Sequence, residues 1–414
     1  MKQKILFVMN NLQCGGAEKA LISLLETIDY SLYEVDLYLL RHSGIFMSKI
    51  PAAVKLLGEP QEYQYYDMPI RKAVLNCLKR GRINIASFRL RAGVIYKTEK
   101  NSVRCEQRVW KYLSKSLKSI DQVYDIAIGY LEKNPIYFCI DKVKARKKIG
   151  FIHNDYDRLG MDPSYDKTYF DKLDHLVTVS GECGTILKKR FPKYAHKVEV
   201  MHNIVSPAAI RNLAMEDADW NAANTIPDSP VGQTPPIKKD SAIKLVSIGR
   251  LNYQKGFEMA VQTCKELVEG GYPVQWYVIG EGEERKTLER MISENGLQDR
   301  FHLLGVKENP YPYIREADIY VQPSRFEGKS IAIDEAKILH KPIVVTNFST
   351  AKDQITDRHN GLIVEMDARS IAQGIKALLE DASLRRQLSV NLEKEPLGTE
   401  TEIEKLYALF DSKK

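Results

Sequence analysis

The chain has 414 residues, 44% hydrophobic and 28% charged, and no apolar run reaches the ~18–20 residues of a membrane span. That describes a soluble globular protein long enough for two domains and excludes a membrane-spanning one. Six scattered cysteines (14, 77, 105, 139, 183 and 264) with no CxxC fit a reducing cytosol and argue against a zinc site or disulfide framework. The opening Met1–Met9 runs straight into a strand without a signal-peptide layout, so a cytoplasmic location is expected.

Net charge is +7, and it is uneven: Arg71 to Lys118 holds fourteen Lys/Arg against Glu99 and Glu106. Across the first half of the chain, short strand-like runs alternate with amphipathic stretches. The runs are Ile5–Met9, Val35–Leu40, Asp125–Ile128, Lys148–Ile152, Leu176–Val179 and Val198–Met201, with Ala17–Ile28 as a helix after the first. This alternation implies a parallel sheet covered on both faces. Gly15-Gly16 lies where the first strand becomes a helix, the end of an open α/β sheet at which ligands bind, although it is not a GxGxxG fingerprint.

Residues 60–122 break the rhythm. Their Lys and Arg interleave with apolar clusters such as Val74-Leu75-Leu78 and Val109-Trp110-Tyr112-Leu113. Such an insert could lie on anionic lipid headgroups; a nucleic-acid patch without any recognition motif, or a plain solvated helical insert, are the other readings. His153 is expected at a strand's carboxyl end. Asp155-Tyr156-Asp157 reads as a solvated loop more readily than as a metal-holding DxD, because no other ligands cluster with it. Asn203 closes the last strand of this half, residues 1–215. Residues 216–241, with four prolines, read as a linker.

From 242 to 395 the pattern restarts as a second doubly wound domain. Its strands are Leu245–Ile248, Val274–Ile279, Phe301–Leu304, Asp318–Val321, Pro342–Val345 and Leu362–Val364. The first ends in Gly249-Arg250, followed by Lys255-Gly256; a planar Arg fork and a mobile Lys on one loop can close on one anion. The second ends in Gly280-Glu281-Gly282, a tight turn. The third leads to Val306, Lys307 and a loop, Asn309-Pro310-Tyr311-Pro312-Tyr313, that two prolines could hold as a rigid slot for a flat base. The fourth leads to Ser324-Arg325-Phe326-Glu327-Gly328-Lys329-Ser330-Ile331, a turn and helix start suited to a phosphate. Glu327 and Glu335 are eight residues apart, roughly 12 Å along a helix, too far for a glycosidase pair at about 6.5–9.5 Å or less. Residues 396–414 form a last helix expected to return to the first domain.

The joint order of these motifs resembles the retaining glycosyltransferases of the GT-B fold, the family-four type that builds bacterial surface polysaccharides: capsule, lipopolysaccharide and teichoic acid. The resemblance covers nearly the whole chain except the insert and linker. It implies two Rossmann-like domains facing across a cleft, with the acceptor bound by the first and a nucleotide sugar, UDP-linked on family frequency, by the second. By the same resemblance, Arg250 and Lys255 grip the diphosphate beside Gly249, and Glu327 and His153 face the reacting sugar. The backbone of Gly328, Lys329, Ser330 and Ile331 cradles phosphate, and Glu335 takes the ribose. Val306, Lys307 and Pro310 form the base loop, and Gly16 and Asn203 complete the donor contacts. Lys329 departs from the common Phe. No metal or other cofactor is implied. The acceptor is expected to be a lipid-linked or polymeric glycan, with the basic insert holding the enzyme peripherally at the inner membrane face. A sugar-nucleotide epimerase on the same fold, or a non-catalytic partner subunit of a transferase, are the alternatives.

Overall fold

The computed structural model describes residues 2–220 and 242–412, so most of the expected linker lies outside the described residues. The chain divides into two units, Met1–Gln13 with Ala17–His202 and Thr401–Lys414, and Cys14–Gly16 with Asn203–Glu400. Each is built on one parallel sheet, as the near-continuous Val/Ile/Leu runs require when both faces are covered.

In the first unit the strands are β1 (Gln3–Met9), β2 (Tyr33–Leu39), β3 (Lys55–Leu56), β4 (Val123–Gly129), β5 (Lys144–Ile152), β6 (His175–Thr178) and β7 (Val198–Val200). Their order is β3-β2-β1-β4-β5-β6-β7, so the winding reverses between β1 and β4. Ile5 to Met9 are fully buried along β1. The last helix, Ile403–Asp411, belongs to this unit. Tyr407 stacks on Tyr33 with ring centroids 5.0 Å apart. Lys147 on β5 caps the helix end, donating to the carbonyls of Leu409 (2.7 Å), Phe410 (2.8 Å) and Ser412 (2.7 Å).

The basic insert is helical: Ile70–Lys79, Ile83–Thr98 and Ser102–Ser116, the last capped by the Asn101 side chain, which accepts from the N–H groups of Val103 and Arg104. Not every cation in it faces water. Arg89 is buried and donates to the carbonyls of Tyr65 (2.7 Å) and Met68 (3.0 Å), holding the helix Ile83–Thr98 on the preceding segment. Trp110 is buried and donates to Asp141 at 2.8 Å.

In the second unit the strands are β8 (Ile243–Ile248), β9 (Val274–Ile279), β10 (Phe301–Leu303), β11 (Ile319–Gln322), β12 (Ile343–Thr346) and β13 (Leu362–Val364), in the order β10-β9-β8-β11-β12-β13. The winding reverses between β8 and β11. A polar link crosses the core at this point: Trp276 Nε1 donates to Ser247 Oγ (3.0 Å), which donates to the Val321 carbonyl (2.6 Å). This ties β9, β8 and β11 together with every donor satisfied.

The unit boundary falls at His202/Asn203, not after residue 215 as the sequence pattern suggests. The segment that follows β7 is held by the second unit. Thr399 Oγ1 donates to the Asn203 carbonyl (2.7 Å), and Asn309 Nδ2 donates to the Leu213 carbonyl (2.8 Å) and the Glu216 carboxylate (2.9 Å).

Candidate active site

The carboxyl ends of β8 and β11 meet at the second unit's switch point, where open α/β sheets bind ligands. The loop after β8 carries Gly249, Arg250 and Lys255. The turn after β11 carries Ser324 and Glu327. Gly256 has φ +64°, and a Cβ there would lie 2.3 Å from the Pro323 carbonyl oxygen. Only glycine lets these two segments approach so closely. The approach delivers Lys255 to Glu327, with Nζ 2.6 Å from Oε1. A side chain at Gly249 would strike the Lys255 stem at 2.9 Å.

Glu327 is buried and surrounded by donors. Its Oε1 accepts from Lys255, Ser324 Oγ (2.6 Å) and Gln322 Nε2 (3.1 Å), and its Oε2 from Gln254 Nε2 (3.3 Å). Gln254 also donates to the Phe326 carbonyl at 3.0 Å, while its own carbonyl accepts the Arg325 N–H at 2.7 Å. The lysine and carboxylate thus form a largely desolvated ion pair whose carboxylate is held by three further donors, a geometry that fixes its rotamer. Arg250 is exposed on the same loop.

Neighbouring loops brace this one. The N–H of Gly249 donates to the Ile279 carbonyl (3.0 Å), Leu251 N–H to the Glu281 carbonyl (2.9 Å), and Gly280 N–H to the Gly305 carbonyl (2.8 Å). The three strand-end loops after β8, β9 and β10 are therefore stitched edge to edge.

Beyond the turn, the helix Ile331–Ile338 places Glu335 inward, buried, with Tyr311 Oη donating to it at 3.4 Å. Tyr320 lies in the field of both acids. Burial, then the Glu335 and Glu327 carboxylates, hold its phenol well above the ordinary range, so it stays protonated and donates to Gln322 Oε1 at 2.6 Å. Val306 and Lys307 are half-buried in the loop after β10, with the Lys307 ammonium 5.6 Å from the Tyr313 ring centroid. The Asn309–Tyr313 stretch is not the proline-held loop the sequence suggests. Pro310 caps a short helix, Tyr311–Glu316, with Pro312 in its first turn, because proline's fixed φ suits a helix start.

Ser330 also differs from expectation. Its backbone N–H is already taken, donating to Gln354 Oε1 at 2.8 Å. This N–H is therefore not among those the turn leaves open to a ligand. Gln254, Gln322, Ser324 and Gln354 were not singled out from sequence. Amide and hydroxyl side chains leave no periodic signal, and Gln254 and Gln354 reach the turn from other loops.

Gly16, grouped with the second unit, opens the helix Gly16–Thr27, and a Cβ there would meet nothing within 4 Å. The fold itself does not demand glycine at this position. His153 follows β5. It is buried, its backbone N–H donates to Glu132 Oε2 at 3.0 Å, and its ring centroid lies 4.9 Å from that of Tyr130 and 5.9 Å from that of Phe151. Nε2 has no partner among the described residues, and burial pushes the imidazole down to about 4, so it is neutral at physiological pH. Asp155 and Tyr156 are not in a solvated loop. Both are buried, Tyr156 pairs with the buried Asp166, and Asp157 pairs with Arg190 at 2.7 Å. No group of three or more potential metal ligands occurs among the described residues.

With this geometry in place, comparison with known proteins finds similarity concentrated in the second unit. Residues 234–395 match the family model "Glycosyl transferases group 1". An N-acetylgalactosaminyltransferase of Campylobacter jejuni, whose acceptor is named as a diphospho-undecaprenol glycan, is 31% identical over 219 residues, 52% of this chain and 54% of that protein. The chain spans about half or less of the length of the first curated relatives it matches. Among solved structures, a Staphylococcus aureus TarM variant bound to fondaparinux, alpha-GlcNAc-glycerol and UDP superposes with a TM-score of 0.66 at 15% identity, covering 99% of this chain and 100% of that one. Anabaena HepE with UDP-glucose gives 0.64 at 15% identity, with 98% of each chain covered. Over residues 234–395 the chain is thus similar to the group 1 glycosyl transferases, and its two parallel-sheet, Rossmann-like units are the α/β fold of these GT-B glycosyltransferase structures.

Proposed function

We propose that this protein is a retaining glycosyltransferase that moves a sugar from a nucleotide diphosphate sugar, UDP-linked, to a glycan acceptor in bacterial surface polysaccharide synthesis. The observation that carries it is the Lys255–Glu327 pair at the β8/β11 switch point, inside the matched segment, with Arg250 on the same loop. As the donor's glycosidic bond breaks, charge grows on the leaving diphosphate. Arg250, Lys255 and the backbone N–H groups at the helix start would hold that charge without a metal. The sugar becomes oxocarbenium-like, and the acceptor hydroxyl attacks from the face the diphosphate leaves. The acceptor's proton passes to the departing phosphate oxygen. Glu327 would orient the sugar and favour the positive charge beside it, and Glu335 would take the ribose. UDP in the TarM and HepE structures supports the uridine donor. The test is release of nucleotide across UDP- and GDP-sugars. Turnover with at least one UDP-sugar, unchanged by EDTA, is expected; turnover with GDP-sugars alone, or none without added metal, would overturn it.

The acceptor is proposed to be lipid-linked and the enzyme peripheral on the inner face of an anionic membrane. The name of the Campylobacter relative supports the first point. The insert's surface supports the second. Leu75, Leu78, Ile83, Leu90, Val94 and Tyr96 are large apolar residues 48–67% exposed, all on the helices Ile70–Lys79 and Ile83–Thr98. Arg71, Lys72, Lys79, Arg80, Arg91 and Lys97 are exposed beside them. Exposed apolar side chains interleaved with cations along the same helices suit a headgroup layer, each cation adding about 1 kcal/mol near an anionic surface. No helix among the described residues is long and apolar enough to cross a membrane. In flotation assays the protein should rise with vesicles containing anionic lipid, less so at high salt, and stay behind with neutral ones. Leu75→Glu with Leu78→Glu should abolish flotation while the melting temperature holds. Equal, negligible binding to both vesicle types would reject the membrane reading.

A further inference from the structure

The turn Glu327–Ser330 is backed by a set of side chains that the chemistry above does not use. The Lys329 ammonium pairs with the Asp334 carboxylate, and the two side chains are only 9% and 11% exposed. Asp334 Oδ1 accepts from Gln354 Nε2 at 2.8 Å. Gln354 clasps Ser330 twice: Oε1 accepts its N–H at 2.8 Å, and Nε2 donates to its carbonyl at 2.8 Å. These partners fix the amide's orientation, since an N–H can only donate and a carbonyl or carboxylate can only accept. The same segment holds the other end of the turn, where Thr350 Oγ1 donates to the Glu327 carbonyl at 3.1 Å. Lys337 Nζ in turn donates to the Gln354 carbonyl at 2.9 Å. Ser330 itself makes no side-chain cap to its helix, so Gln354 does the work of setting this helix start.

We infer that Lys329, Asp334 and Gln354 form a positioning network that fixes the backbone of the phosphate turn, and that Lys329 does not contact the transferred sugar. The inference rests on the reading of this turn as a nucleotide diphosphate site. Asp334 is needed to hold Gln354, but its carboxylate sits in the first turn of the helix whose N-terminus would receive the diphosphate. Left alone, that charge would repel the ligand. Lys329 cancels it from within the protein, so the turn keeps its shape and its affinity for an anion together. Gln354 also removes the Ser330 N–H from the set that can face phosphate. Among the described residues the Lys329 N–H takes no acceptor, and remains in that set.

The test is titration calorimetry of the full chain with UDP, GDP and UDP-sugars, with melting curves as a check on folding. Wild type binds UDP. Lys329→Met should weaken UDP about tenfold, raise KM more than it lowers kcat, and leave the ranking of UDP-sugars unchanged. Lys329→Arg should retain wild-type affinity. Adding Asp334→Asn to Lys329→Met should recover most of the loss, because the carboxamide oxygen still accepts from Gln354 while the uncompensated charge is gone. Gln354→Glu supplies an independent route should Lys329→Met fold poorly; it cannot donate to the Ser330 carbonyl and should weaken UDP with Lys329 intact. Wild-type UDP affinity in Lys329→Met with an altered sugar ranking would show a sugar contact and overturn the network. A double variant no better than the single one would overturn the charge argument. Failure of the wild type to bind any of these nucleotides would overturn the site reading itself, and the network with it.

Discussion

Glu327→Gln and Arg250→Ala are each expected to lower nucleotide release from the donor by about 10²–10³-fold in the purified protein. The two reach that result by different routes. Arg250 is exposed, so its removal should leave the melting temperature within about a degree while the leaving diphosphate loses a planar two-point contact. Glu327 is the hub of four donors, and its side chain is only 7% exposed. Truncation to alanine would strand the Lys255 ammonium and cost about 3–5 kcal/mol of stability. Glutamine keeps the volume and much of the hydrogen bonding, so the effect on turnover is read on a folded protein. Measuring nucleotide release and thermal melts together separates chemistry from folding. Wild-type-like turnover in either variant removes the proposed active site.

Gly280→Ala is expected to be among the most damaging single methyl groups that can be added to the second unit. Gly280 has φ +149°, and a Cβ would lie 1.9 Å from the Gly249 carbonyl oxygen. The new atom must push the loop after β8 away from the loop after β9, and the bonds from Gly249 to Ile279 and from Leu251 to Glu281 lie across that seam. A cost of about 3 kcal/mol follows from the clash and the strained φ together, a fall of roughly 6–12 °C in melting temperature for a unit of this size. Nucleotide affinity should fall as well, because Arg250 rides on the displaced loop. Gly296→Ala is the control. Its φ is +65° but a Cβ there meets nothing within 4 Å, so only backbone strain of about 1 kcal/mol applies. If the two variants melt alike, steric bracing between the loops is not what shapes the site.

Twelve of the thirteen strands were legible because buried parallel strands write themselves as Val/Ile/Leu runs. Leu362–Val364, at three residues, still carries that signature, whereas Phe301–Leu303 is Phe-His-Leu and is marked only by its two apolar ends. The missed one, Lys55–Leu56, is a two-residue edge strand with no pattern to read. Proline misled in the other direction: Pro310 and Pro312 looked like braces of a loop and instead begin a helix. Charge singled out Arg250, Lys255, Glu327 and Glu335 in the sequence, and the structure pairs Lys255 with Glu327. The sequence was silent at Gln354, whose partners Ser330 and Asp334 are 24 and 20 residues away and come together only once β12 has crossed to its place. The Lys329 substitution for the common Phe was visible in sequence, but its meaning lay in a buried carboxylate that no spacing rule assigns to it.

The capping of the helix Ile403–Asp411 by Lys147 has a bearing on how the protein comes off the ribosome. The first unit starts before the second but is closed only by residues that follow Glu400. During synthesis the segment Asn203–Glu400 is complete while Tyr33 still lacks Tyr407 and Phe410, and Lys147 still lacks the carbonyls it will hold. Domains ordinarily fold in the order they emerge. Here the earlier one emerges with an aromatic face and a cation that stay uncovered until the later one has been made. The nascent first unit is therefore the stage at which a chaperone has most to protect.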